Sequence, residues 1–334
     1  MENPVLWAVF GVVVLGGMAI DLGILHKKDK PVSVKQALWF TALWISVALA
    51  FGVAIRIFVD PEHTEAATRP SIEYLTCYIT EYALSVDNIF VFLVIFRYFG
   101  IPPASQHRVL LWGVLGAMFM RGLFLYIGIA AIERFHWVIW VLGVLLIVTG
   151  VKLALQRDHA EMEPEKNFML RLARRFLPVT NQFVGSRFFT RVDGRLFATP
   201  LFLALLVVET TDVLFAVDSV PAALGISRDL FVVYTSNIFA ILGLRSLFFA
   251  VGGLMGLLYY LEYGLSAVLV FIGVKMLLPE HMKIPITWAL GTVLGILAVA
   301  VVASLIRARI VKPDTIPPGP EPGHEVKHDD PVRD

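Results

Sequence analysis

Glu209-Thr-Thr-Asp212-Val-Leu-Phe-Ala-Val-Asp218-Ser219-Val-Pro221 is an acidic run set inside a segment that otherwise reads as lipid-soluble. A carboxylate in mid-bilayer costs roughly 2.5–3.5 kcal/mol on insertion scales, so three approach about 10 kcal/mol unless water, a partner or a bound cation compensates. Cations are the obvious guests. The idea occurs once more, in Glu81-Tyr-Ala-Leu-Ser85-Val86-Asp87-Asn88. The spacing from Glu81 to Asp87 repeats that from Asp212 to Asp218, and each copy ends in Val-Asp followed by Asn88 or Ser219. Two copies imply a repeat.

The rest of the chain agrees with a lipid setting. With 57% hydrophobic and 16% charged residues it belongs to the polytopic membrane class, an all-α fold. Hydrophobic runs of spanning length fall at roughly 5–25, 37–58, 72–96, 109–131, 137–155, 200–224, 230–251, 263–278 and 284–306, which predicts nine transmembrane helices within a domain of residues 1–312. The first lacks the basic flank and cleavage site of a signal peptide and is expected to stay, with Asp21 near its end. A formal charge of +1 gives no sign of a nucleic-acid partner; the expected partner is the lipid bilayer. The single cysteine, Cys77, excludes an intramolecular disulfide and a cysteine metal cluster.

Charge placement orients the chain. Lys27, Lys28, Lys30 and Lys35 follow the first span, whereas Asp60, Glu62 and Glu65 follow the second with only Arg69. The positive-inside rule then predicts the N-terminus outside and the C-terminus cytoplasmic. The basic segment 156–199 lies inside. Within it Phe168, Leu172 and Phe176 share a helical face opposite Arg171 and Arg175, the pattern of an interfacial amphipathic helix, and Phe188–Phe197 alternates around Asp193-Gly194 as a hairpin does. Both also suit a solvated connector over the inner mouth. The tail, 313–334, is rich in Pro, Gly and charge, holds His324 and His328, and is expected to be disordered.

Two further matches extend the repeat: Arg121-Gly-Leu-Phe124 with Arg245-Ser-Leu-Phe248, and Gly150-Val-Lys152 with Gly273-Val-Lys275. Residues 72–155 then correspond to 200–278. Each unit has three helices, an odd number, so the second crosses the membrane upside down. This is an inverted repeat, a common way for secondary transporters to place a site at the midplane.

On a helix, Glu209, Asp212, Ala216 and Ser219 form one stripe and Glu81, Ser85 and Asn88 another, with Asp87 and Asp218 about 120° off them. Pro221 cannot donate to the carbonyl of Val217, which invites a kink or an unwound turn beside Asp218. All eight histidines fall in loops, at span ends or in the tail, so the available ligands are oxygens. Oxygen sites suit Mn²⁺, Mg²⁺ or Ca²⁺ better than Zn²⁺, Cu⁺ or Ni²⁺. Arg121 and Arg245 are the arginines deep in spans, and each is expected to pair with Asp87 or Asp218, either as a gate or as a neutralising, packing charge. Lys152 and Lys275 read as anchors near span ends.

At Glu81–Asn88, Glu209–Pro221 and Ser236-Asn237-Ile-Phe-Ala-Ile-Leu-Gly-Leu-Arg245 the chain resembles the TerC family of integral membrane proteins, and in layout its Alx-type members, which are associated with manganese export. The resemblance covers about residues 5–306. It implies a prokaryotic inner-membrane protein of the cation-exporter kind, in a family named for tellurium resistance. The resulting expectation is Mn²⁺ export by alternating access with intramembrane carboxylates, possible proton exchange, and no prosthetic group. Glu81, Asp87, Glu209, Asp212 and Asp218 would hold the ion with Asn88, Ser219 and Asn237, and Arg121 and Arg245 would gate. The alternatives are a cation or proton channel, and a membrane protein that hands metal to exported enzymes or scaffolds a tellurite-resistance complex with secretion-associated partners. No nucleophile, phosphate loop or nucleotide motif suggests an enzyme.

Overall fold

The computed structural model describes residues 3–25, 34–59, 65–155, 167–180, 183–192, 194–251, 259–282 and 284–310. The chain is mostly helical: α1 (Pro4–Leu25), α2 (Val34–Val59), α3 (Glu65–Tyr98), α4 (Pro103–Arg134), α5 (Val138–Leu155), α6 (Phe168–Phe176), α7 (Pro200–Ile226), α8 (Leu230–Val251), α9 (Leu261–Leu277) and α10 (Ile286–Ile310). Strands β1 (Phe189–Val192) and β2 (Arg195–Ala198) stand between α6 and α7. The predicted apolar segments coincide with α1–α5 and α7–α10. Among the described residues, seven of these helices are long and apolar enough to cross a membrane, while α1 offers a shorter apolar stretch, Pro4–Ala19, and α9 has 17 residues. The tail, with His324 and His328, and the lysines at 27, 28 and 30 lie outside the described residues.

Local signals set the helix ends. Pro103 and Pro200 open α4 and α7 in the first turn, where a missing N–H costs nothing. Gly100, at φ 62°, stops α3 in the left-handed conformation glycine tolerates. Pro221 breaks nothing. The expected unwound turn is absent, and α7 is helical from Pro200 to Ile226. One lost hydrogen bond is outweighed because Val220, Pro221, Ala222, Ala223 and Leu224 are all buried against neighbours.

The core lies between helices and the outside is apolar, as lipid requires. Phe119, Trp140, Leu155, Trp288 and Val299 are exposed on the outer surface. Inside, α3 packs along α8, α4 along α7 and α5 along α9, with α2 against α8 and α10 against α9. The α5–α9 seam is held close by small residues. A Cβ on Gly150 would meet the Ser266 carbonyl at 2.8 Å and Val270 Cγ2 at 2.8 Å, and one on Gly273 would meet the Gly143 carbonyl at 2.7 Å and Ile147 Cγ1 at 2.8 Å. Ser266 Oγ also donates to the Gly150 carbonyl at 2.6 Å. Gly150→Leu must therefore force the seam apart, and we expect it to cost at least about 1–3 kcal/mol, seen as a lower thermal unfolding midpoint in detergent.

The segment before α7 is built as the alternation predicts. β1 and β2 pair antiparallel from Phe189↔Ala198 to Val192↔Arg195, leaving a two-residue turn in which Gly194 has φ 77°. Asp193 itself lies outside the described residues. The hairpin is tied to two long helices: Phe189 meets Phe202 of α7 (centroids 4.5 Å apart), while Phe188 meets Trp112 of α4 (6.5 Å) and sits under Arg108 (5.3 Å). Ser105 and Ser186 hydroxyls add a hydrogen bond at 3.2 Å.

Candidate functional site

Four helices bring their polar side chains to one place. Arg121, on α4, is almost fully enclosed (1% exposed) and donates through Nη1 to Glu81 Oε1 of α3 and to Asn237 Oδ1 of α8 at 3.0 Å. Its Nη2 lies 3.6 Å from Asp212 Oδ1 of α7. Asn237 is fixed in turn, its amide donating to the Val233 carbonyl at 3.0 Å. A guanidinium so deep needs such a fork of acceptors, since isolated burial of charge is costly and only paired, hydrogen-bonded charges persist. The expected partner was Asp87 or Asp218. Helix phase explains the difference: Glu81 and Asp212 occupy the inward stripes and Asp218 does not.

Asp218 turns instead toward α5, where Thr149 hydrogen-bonds it and Lys152 supplies a positive charge. The side chain of Asp87 lies outside the described part of α3. Ser85, Asn88 and Ser219 are buried on the inward stripes, as the spacing requires. Glu209 is half-buried one turn before Asp212. Its carboxylate occupies the space beside Gly116 of α4, so that a Cβ at position 116 would fall within it.

The second arginine is placed differently from the first. Arg245 Nη2 lies 2.7 Å from Nε2 and 3.1 Å from Nδ1 of His107, on α4. Between Arg121, Asp212 and Arg245 is a cavity of about 20 Å³, walled by Phe92, Val114 and Ile241. It has room for about one water-sized body. Asp212 Oδ2, Ser85 Oγ and Ser219 Oγ are buried without a hydrogen-bond partner among the described residues. Buried polar atoms are normally paired, so these unmet oxygens on α3 and α7 stand out within the bundle.

The predicted ligands are thus brought together in part. Glu81, Asp212 and Asn237 meet at Arg121, Glu209 adjoins Asp212, and Asp218 stands toward α5. Among the described residues no three of His, Cys, Asp and Glu form a ready cluster for a metal. Sequence reasoning missed His107, Thr149 and Gly116. Position in the chain gave no signal for them, because each acts through a neighbour on another helix. Toward the α3 N-terminus, eight residues or about 12 Å from Glu81, a wide cavity of about 740 Å³ opens between α3, α7, the loop that follows α7, and α9. Glu73 stands in its wall, receiving Arg69 Nε at 2.8 Å and the Ser227 hydroxyl at 2.5 Å, and Lys275 Nζ donates to the Gly225 carbonyl at 3.1 Å. Ser227→Ala should leave one buried Glu73 oxygen unmet and cost about 1–3 kcal/mol, readable as a lower thermal midpoint with Arg69→Ala as the exposed control. Cys77, one turn from Glu73, is walled in at 1% exposed.

A bundle of apolar helices with an arginine and carboxylates paired at its centre defines an integral membrane protein with charge buried inside its bundle. Residues 66–312 match the model of the integral membrane protein TerC family, and the chain belongs to that family. An uncharacterised membrane protein of Myxococcus xanthus is 48% identical over 307 residues, covering 92% of this chain and 94% of that protein. Alx of Escherichia coli strain K12, whose name describes a candidate membrane-bound redox modulator, is 41% identical over 297 residues, 88% of this chain and 92% of its own. A membrane protein of Rickettsia bellii is 36% identical over 305 residues, 91% and 98% of the two chains. No solved structure matches.

Proposed function

We propose that the chain moves a hard divalent cation, Mn²⁺ before Mg²⁺ or Ca²⁺, out of the cell by alternating access, with Glu81, Asp212 and Glu209 as the central carboxylates and Asp87, Asp218, Asn88, Ser219 and Asn237 assisting. The observation that carries this reading is Arg121 holding Glu81 and Asp212, acids from two different helices, on one guanidinium. Arg121 stands in for a cation there. A metal entering the 20 Å³ cavity competes for the same oxygens, and release of Arg121 from one acid frees α3 and α7 to part. Exchange of the metal for protons on these carboxylates would couple export to a proton gradient.

Packing supports an inverted repeat behind this motion. If residues of α9 stand for those of α5 shifted by 123 positions, the contact of Gly150 with Ser266 becomes that of Gly273 with Gly143, and Gly150 with Val270 becomes Gly273 with Ile147; both pairs of contacts are present. Likewise α3 on α8 and α4 on α7 are one pairing seen twice. In the same repeat, here at a shift of 124 positions, Arg245 is the counterpart of Arg121, and in the opposite access state it would take the acids while Arg121 lets go. The orientation that fits is N-terminus outside and C-terminus cytoplasmic, in the inner membrane of a bacterium. Redox chemistry of the kind named in relatives is not carried by thiol pairs within one chain, which has one cysteine.

The test is Mn²⁺ flux into inside-out vesicles holding the purified protein, with a lumenal pH probe, comparing wild type with Asp212→Asn and Asp218→Asn. Saturable uptake that drops at least about tenfold in Asp212→Asn, with lumen alkalinisation in wild type, supports a proton-exchanging exporter. Non-saturating flux without a pH change would replace it with a channel. Metal binding with no flux under any gradient would replace it with metal delivery to another protein.

A further inference from the structure

The short helix α6 sits where α3 ends and α7 begins: Leu170 and Ala173 are buried with Phe96, Ile101, Leu201 and Leu203. Asn167 caps it, its Oδ1 accepting from the Met169 and Leu170 amides at 2.9 and 3.2 Å. At 100° per residue, the apolar arc runs from Phe168 through Leu172, Phe176 and Met169 to Ala173 and Leu170, about 200° in all. Among the described residues, only its far end is buried in protein. Phe168 and Phe176 are 65% and 72% exposed, with Leu172 and Met169 also open. Arg174, Arg171 and Arg175 fill the remaining arc, all exposed. From residue 167 to 199 the chain holds six arginines against one aspartate.

We propose that this face docks on the anionic lipid of the adjoining leaflet, Phe168, Leu172 and Phe176 entering the acyl boundary while Arg171, Arg174 and Arg175 reach the phosphates. Two observations select lipid over a protein partner. The helix that carries the open apolar face packs against the ends of α3 and α7, the ends of two spanning helices, and the charge next to that face has one sign, complementary to anionic headgroups. Through the hairpin and its contacts with Trp112 and Phe202, the same segment touches α4 and α7, so lipid composition bears on the helices that carry Arg121 and Asp212.

The full chain in nanodiscs, which leave both faces open, provides the test. Trypsin cleavage after Arg171, Arg174 and Arg175 is followed by mass spectrometry in discs of phosphatidylcholine alone and of phosphatidylcholine with one-third phosphatidylglycerol. Attraction of three arginines to an anionic surface predicts cleavage slower by on the order of tenfold in the anionic discs, with the protection lost in Phe168→Ser/Phe176→Ser. Those two side chains are exposed, so the variant keeps the packing of Leu170 and Ala173. Equal cleavage in both lipids overturns the proposal. Protection that ignores lipid charge but rises with two chains per disc overturns it in favour of a second copy as the occupant.

Discussion

Arg121→Leu will lower stability by about 3–5 kcal/mol, because it strands Glu81 and Asp212 inside the bundle without a counter-charge. Glu81 is 2% exposed and Asp212 6%. The measurement is thermal unfolding in detergent, and the informative comparison is Arg121→Leu/Glu81→Gln/Asp212→Asn, in which the charges are removed together. That triple variant should recover most of the lost midpoint, since neutral amides need less compensation than carboxylates. Both variants should be inert in the vesicle assay. An Arg121→Leu protein as stable as wild type would mean that the acids are held neutral without it, and the competition between arginine and metal would have to be abandoned.

Gly116→Val should be the most damaging single change that alters no charge. The space a Cβ would need at position 116 is taken by the Glu209 carboxylate, so α4 and α7 can keep their approach only if Glu209 leaves. We expect Mn²⁺ uptake to fall at least about tenfold with a loss of stability of about 1–3 kcal/mol from overpacking. Gly116→Val with Glu209→Ala separates the two effects. If crowding accounts for the lost stability and Glu209 takes part in transport, the double variant regains stability but not transport. Recovery of both would show that Glu209 is a passenger in the seam and takes no part in transport.

Much of the architecture was legible because lipid makes the code simple. Apolar runs of spanning length located the long helices, and a proline, glycine or charge marked most of their ends. The inward stripes were also legible, since Glu81, Ser85 and Asn88, like Asp212 and Ser219, recur at helical spacing and are buried. The pairing of Arg121 was not. It depends on the rotation of α3 and α7 about their axes and on which helices are neighbours, and α4 faces α7 across a sequence distance that no local pattern records. The contact of His107 with Arg245 escaped for the same reason, and the continuous α7 at Pro221 shows packing overriding a local breaker.

Cys77 has a practical consequence. It is the single thiol in the chain and is enclosed by its neighbours, so the native protein is already a silent background for thiol chemistry. A cysteine introduced at Arg228, an exposed residue in the wall of the wide cavity, or at Thr180 near the opposite end of the bundle would be the one thiol a membrane-impermeant maleimide could reach from its side. Comparing how fast each is modified, with and without Mn²⁺, would test whether the two ends open in turn, in intact cells and without purifying the protein.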